Sequence, residues 1–173
     1  LTTNDRLDNL ARLKKQAEAG GGKERSERQQ AQGKLTARER INLLLDPGSF
    51  NELGTLISHR ATDFGLAEQK YLGDAVVSGS GKIDGRLVFL YSQDFTVLGG
   101  SISEVVGQKA CQAMDMALSS GVPIIAIYDS GGARIQEGVD SLSGVGEMLL
   151  INTLCSGAIP QLSVVVGPSA GGA

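Results

Sequence analysis

Ile124-Ile125-Ala126-Ile127-Tyr128-Asp129-Ser130-Gly131-Gly132-Ala133-Arg134 is answered near the end of the chain by Leu162-Ser163-Val164-Val165-Val166-Gly167-Pro168-Ser169-Ala170-Gly171-Gly172-Ala173. Each is a short apolar run that reads as a buried strand and breaks into a glycine turn. Between them, roughly Val139 to Cys155 has helical spacing, so the succession is strand, turn, helix, strand, turn. That order specifies a parallel pair of strands in an α/β fold. A glycine turn at a strand end leaves backbone N–H groups unpaired, and such groups suit an oxyanion or a phosphate. Two turns one repeat apart are expected to bring their donors to one oxygen.

The 24 glycines among 173 residues cluster in turns without a strict period, which excludes a collagen-like or low-complexity chain. A hydrophobic content of 41% with 20% charged residues is globular. A net charge of −3 and 4% aromatic residues supply neither the basic surface nor the stacking platforms of a nucleic-acid binder. No apolar run has the length of a spanning helix or the flanks of a signal peptide, and the expectation is an intracellular protein. Cys111, Cys155 and His59 are isolated from one another, so no metal site is expected and both cysteines read as reduced, small hydrophobes.

Upstream, Asn4 to Ala19 carries Leu7, Leu10, Ala11, Leu13 and Ala17 at helical spacing and stops at Gly20-Gly21-Gly22. Lys23 to Lys34 is almost wholly polar: a solvated helix or linker, or an electropositive contribution to a polyanion such as the nucleotide end of CoA. Thr36-Ala37-Arg38-Glu39 is a capping box opening a short helix that ends at Asp46-Pro47-Gly48. Short β-like runs follow at Thr55-Ile57, Asp74-Ser80 and Leu87-Ser92, with Asp84-Gly85 as a hairpin turn. Gly79-Ser80-Gly81-Lys82 lacks the spacing of a phosphate loop and leads into a hairpin instead of a helix, which excludes a Walker motif. Ser101-Ile102-Ser103-Glu104 reads as a second capping box. It opens a helix with the stripe Ile102, Val105, Val106, Ala110, Ala113, Met114, Ala117 and Leu118, closed at Ser119-Ser120-Gly121.

Two chemistries compete for the turns. Gly167-Pro168-Ser169-Ala170-Gly171 matches the G-x-S-x-G elbow of serine hydrolases, which would make Ser169 a nucleophile; the one histidine, His59, precedes it, whereas that architecture places its base after the serine. The other chemistry uses no side chain: two backbone amides aimed at a thioester oxygen, with glycine needed for close backbone approach. Taken singly, each motif is equally compatible with a tight turn packed on a sheet. A noncatalytic assembly domain is a third possibility.

Along nearly its whole length the chain resembles the carboxyltransferase subunits of biotin-dependent acyl-CoA carboxylases and decarboxylases, of the propionyl-CoA and methylmalonyl-CoA type. The resemblance is carried by Ala19 to Gly22, Gly33 to Arg40, Leu45 to Phe50, Ser92 to Val97, Asp129 to Gly138 and Gly167 to Ala173. It implies a crotonase-like ββα spiral, incomplete here, with residues 1–46 as a helical segment and 47–173 as the first part of an acyl-CoA carboxyltransferase domain. It implies carboxyl transfer between N1 of biotin and the α-carbon of an acyl-CoA. Catalytic positions would be Gly171 and Gly172, whose amides would hold the thioester oxygen, with Gly132 and Ala133 lining the same pocket; Gly131, Arg134 and Ala170 would bind the cofactor. Biotin carboxylase and carboxyl carrier subunits, or a membrane decarboxylase, would be partners in a hexamer-based assembly of the cytoplasm or mitochondrial matrix. The residues that hold biotin would lie in a C-terminal domain. Ser169 stands where most relatives carry Cys, and Ala75 where Gly is usual; neither change removes a donor. Leu1 in place of an initiator Met, and a second motif ending at Ala173, lead to the expectation of a piece of a longer protein, inactive alone and with an exposed edge strand.

Overall fold

Asp84 and Gly85 adopt positive φ of 50° and 76°, the geometry of a primed turn, and fold Val76–Ile83 (β2) back on Arg86–Gln93 (β3) in antiparallel register from Ile83 opposite Arg86 to Val76 opposite Gln93. Both turn amides donate to the Asp46 carboxylate, Asp84 at 3.1 Å and Gly85 at 2.9 Å. The Asp46-Pro47-Gly48 stop thus also clamps the hairpin. The computed structural model describes residues 2–173, and its five-stranded sheet runs β1-β2-β3-β4-β5. Asn51–Leu53 (β1) is antiparallel to β2; Ile124–Ser130 (β4) is parallel to β3, and Gln161–Ser169 (β5) parallel to β4. The parallel steps cross over through the helices Glu104–Ser120 and Val139–Cys155.

Three further helices lead in: Thr3–Glu18 (α1), Lys23–Ala31 (α2) and Ala37–Leu44 (α3); the crossover helices are α4 and α5. Side-chain alternation along β2 to β4 sorts the core into two layers. Val77, Val88, Leu90, Ile125 and Ile127 meet Ala37 and Ile41 of α3 on one face. Phe89, Tyr91, Ile124 and Ala126 meet Val106, Ala110, Ala113 and Met114 of α4, backed by Val145 and Met148 of α5, on the other. Each fully buried large aliphatic or aromatic side chain contributes roughly 1.5–3 kcal/mol. The two crossover helices touch backbone to backbone, since a Cβ on Gly107 would lie 2.7 Å from Gly144 Cα. Lys109 of α4 is buried and donates to Gly73 O and Val76 O, each at 2.7 Å; burial pulls its pKa down to about 8.

Thr36 caps α3 with a full capping box, as its sequence predicts. The second box is displaced by two residues: Ser103 caps α4 by accepting the Val106 amide at 2.9 Å, while Ser101 Oγ accepts a guanidinium instead. Thr55-Ile57 is a turn closed by Ile57 N–H to Gly54 O; the strand is Asn51–Leu53, ended by Gly54 at φ 64°. Along α1 only Ala17 is buried, so most of its apolar stripe faces outward. The apolar run of β5 reads as a buried strand, yet Leu162 to Val166 are exposed: β5 pairs with β4 alone and is the exposed edge strand also expected of this piece, while both core layers close over β2 to β4. Gly79-Ser80-Gly81-Lys82 lies inside β2.

Candidate functional site

At the carboxyl ends of β4 and β5 the two glycine turns lie side by side. This is the end of a parallel sheet where ligands bind in open α/β folds. The first turn is tied on every side. Gly131 N–H donates to Gly99 O at 2.9 Å, Gly132 N–H to Ser130 Oγ at 3.0 Å, and Gly132 O accepts from Ile102 N–H at 2.8 Å. Arg134 N–H donates to Ile102 O at 2.8 Å, completing a short parallel bridge between Ile102 and Ala133. The second turn leans on the first: Ala170 N–H donates to Ser130 O at 3.3 Å, and Ala173 N–H to Ala170 O at 3.2 Å.

The expected donors are therefore of two kinds. The amides of Gly131 and Gly132 are already engaged inside the fold. Those of Ala133, Gly171 and Gly172 meet no backbone or side-chain acceptor among the described residues. The first turn contributes Ala133 as its open amide, and Gly132 contributes shape. At φ 96° Gly132 holds a backbone that a side chain would strain, and a Cβ there would lie 2.8 Å from Ala170 O. Gly172 is likewise fixed by contact, because a Cβ on it would overlap Cγ1 of Val145 on α5.

Arg134 is fully buried and reaches inward. Its guanidinium grips Asp74, Nη2 to Oδ1 at 2.7 Å and Nη1 to Oδ2 at 3.1 Å, and also donates to Glu137 Oε1, Ser101 Oγ and Ser101 O. Asp74 Oδ2 accepts from Ser103 Oγ at 2.6 Å as well. Every branch of this arginine locks the first turn to the loop before β2 and to the start of α4. A bidentate, charge-assisted pair needs such geometry to offset the desolvation of both ions. The resemblance implied Arg134 as a cofactor-binding residue, and the sequence carried no sign that its partner would be Asp74, 60 residues away.

Behind the turn lies a second polar group. Asp129, fully buried, presents Oδ2 to Arg40 Nη2 at 2.5 Å, and its N–H donates to Gln93 Oε1 at 3.0 Å. Beside it a cleft of about 260 Å³ opens between α2 and residues 95–99. Arg25, Arg28, Gln29 and Lys34 line one wall, and Phe95, Thr96 and Gly99 the other. Gly99 also holds the first turn through its carbonyl, so the cleft and the turn meet at one residue. The polar Lys23 to Lys34 stretch is thus an ordered helix that, with Lys34, forms the basic wall.

The nucleophile arrangement is not assembled. Ser169 ends β5 and its hydroxyl donates to Ala173 O at 2.9 Å. His59 is buried in the loop between β1 and β2, with Nε2 against Gln69 O at 2.7 Å. No base stands at Ser169 among the described residues.

Residues 28–173 match the carboxyl transferase domain family. The propionyl-CoA carboxylase beta chain of Roseobacter denitrificans is 55% identical over 169 residues, covering 98% of this chain and 33% of that protein. The human mitochondrial propionyl-CoA carboxylase beta chain is 53% identical over 174 residues, covering 99% and 32%. The methylmalonyl-CoA carboxyltransferase 12S subunit of Propionibacterium freudenreichii subsp. shermanii is 51% identical over 172 residues, covering 99% and 33%. Among solved structures, transcarboxylase 12S, a hexamer with methylmalonyl-coenzyme A bound, superimposes with a TM-score of 0.97 at 50% identity, over 99% of this chain and 34% of that one. The chain spans about a third of the length of the curated relatives it matches.

Proposed function

The chain belongs to the carboxyl transferase domain family and has its crotonase-like fold; from that membership we propose that the protein transfers a carboxyl group between N1 of biotin and the α-carbon of an acyl-CoA thioester. The observation that carries the proposal is the meeting of the two turns, with Ala133, Gly171 and Gly172 offering amides that none of the described residues accepts. When the bond between the α-carbon and its carboxylate breaks, the electron pair passes into the thioester carbonyl and charge develops on its oxygen. Aligned N–H donors stabilise that charge without reorganising, each by roughly 3–4 kcal/mol in a dry site. In the reverse direction the same donors stabilise the enolate that attacks the carboxyl carbon. Biotin supplies the nitrogen that accepts or delivers the carboxyl group; we assign no residue of this chain to holding it.

Within this reading Gly132 sets the approach of the two turns, Gly131 and Ala170 complete the wall, and Arg134 is a positioning residue, since its guanidinium is fully engaged beneath the turn. The basic cleft, joined to the turn through Gly99, takes the phosphates of the CoA nucleotide. By likeness to the hexameric relative, the protein assembles as a homo-oligomer and works with biotin carboxylase and carboxyl carrier subunits, or with a membrane decarboxylase, in a bacterial cytoplasm or a mitochondrial matrix. The test is transfer of carboxyl from methylmalonyl-CoA or malonyl-CoA to free biotin by the full assembled protein, followed by the appearance of propionyl-CoA or acetyl-CoA. Turnover of either is expected. Silence with both, together with hydrolysis of a simple ester, would overturn the reading and return Ser169 as a nucleophile.

A further inference from the structure

Asp129 is held by Arg40 at one point only. Oδ2 takes Arg40 Nη2, while Oδ1 of the same carboxylate and Nη1 of the same guanidinium are both buried and both without a hydrogen-bond partner. These two groups have the shapes of a two-point fork and do not form it. What stands near Oδ1 instead is Lys34 Nζ, at 3.7 Å, beyond hydrogen-bond length. Two cations therefore compete for one fully buried carboxylate. Arg40 is almost wholly enclosed, whereas the Lys34 side chain is 31% exposed, lines the basic cleft with Arg25 and Arg28, and places Nζ 5.6 Å from the centre of the Phe95 ring. One of the two can leave toward solvent.

Asp129 is also the last residue before Ser130, whose hydroxyl holds Gly132 N–H, and the backbone of Asp129 is closely packed. Its N–H is bound by Gln93, and a Cβ on Gly100 would run into its carbonyl oxygen. Gly167 of β5 lies against the carboxylate itself, where a Cβ would meet Oδ1. A rotation of this carboxylate therefore acts on both strands that end in the glycine turns.

We propose that Lys34 is a positioning residue that couples filling of the basic cleft by a nucleotide phosphate to the geometry of the Gly131-Gly132 turn: the anion draws Lys34 off Asp129, and the Arg40–Asp129 contact closes from one point to two. The proposal rests on the acyl-CoA reading for the identity of the ligand. Its physical requirement is a differential contact, and Lys34 supplies one, because its charge faces Asp129 when the cleft is empty and the phosphate when it is filled.

The test is amide hydrogen exchange across residues 129–134 in the full assembled protein, with and without adenosine 3′,5′-bisphosphate. In the wild type, the nucleotide is expected to slow exchange of this segment at least threefold. Lys34→Met is expected to exchange slowly without nucleotide and to show no response on its addition, while Lys34→Arg keeps the response. Arg28→Ala shifts the response to higher nucleotide concentration. Bound nucleotide with no change at 129–134, a Lys34→Met protein that responds like the wild type, or no nucleotide binding at all would each overturn the coupling. Bound nucleotide without a response overturns the coupling alone, whereas absence of nucleotide binding overturns the coupling together with the acyl-CoA reading.

Discussion

The two glycine turns are near twins in sequence and opposites in support. The first is closed in by Gly99, Ile102 and Ser130 and locked from beneath by the buried Arg134–Asp74 pair. The second is largely exposed and follows an exposed edge strand, and it rests on its neighbours through Ala170 N–H to Ser130 O, the contact of Gly172 with Val145 and the packing of Ala173 on the core. Among the described residues, one wall of the candidate site is thus held from beneath and the other leans on it through Ser130. The contrast teaches that the same local chemistry, small residues at a strand end, takes its support from whatever lies underneath. Amide donors help only if they are aimed in advance, and the aiming here comes from residues far along the chain.

The largest expected effect tests the locked wall. Arg134→Met leaves Asp74 buried and uncompensated and should cost about 3–5 kcal/mol, read as a fall in the denaturant midpoint of the protein. Adding Asp74→Asn, whose side chain tolerates the positive φ of 51° at that position, should recover most of the loss. If Arg134→Met costs under about 1 kcal/mol, the two turns are less different than described. A smaller effect follows from Ser130→Ala, which leaves the enclosed Gly132 amide without its acceptor. It should cost about 1–3 kcal/mol and speed exchange of that amide, whereas unchanged exchange would show that Ser130 does not hold the turn. The smallest effect is at the rim. Arg60 pairs with Glu104 at 2.8 Å with its side chain 68% exposed, and Arg60→Ala should move stability by no more than about 1 kcal/mol. A larger change would extend the locked region outward to the Arg60 end of that loop.

Features set by neighbours in sequence were legible from the residues. The Thr36 capping box, the Asp84-Gly85 turn, the Gly121 stop of α4 and both glycine turns are local, and each formed where it was expected. The second capping box slipped from Ser101 to Ser103 because a remote arginine took the Ser101 hydroxyl, which no local pattern encodes. β4 and β5 carry similar apolar runs, yet Ile124 to Ile127 are buried and Leu162 to Val166 are not. Burial depends on what covers a strand, and composition reports only the capacity for it. At the site, the glycines marked the turns, but which amides remained open depended on Gly99 and Ser130 accepting two of them. The Asp74 and Asp129 groups, joined to partners 60 and 89 residues away, left no periodic trace.

The central claim is that amides of the two turns hold the thioester oxygen, and Gly172→Val tests it most directly. A side chain at Gly172 meets Val145 and displaces the amide without touching the basic cleft. In the full assembled protein, carboxyl transfer from methylmalonyl-CoA to free biotin should fall about 10²–10³-fold in kcat, with binding of adenosine 3′,5′-bisphosphate retained. A wild-type kcat in that variant would contradict the account.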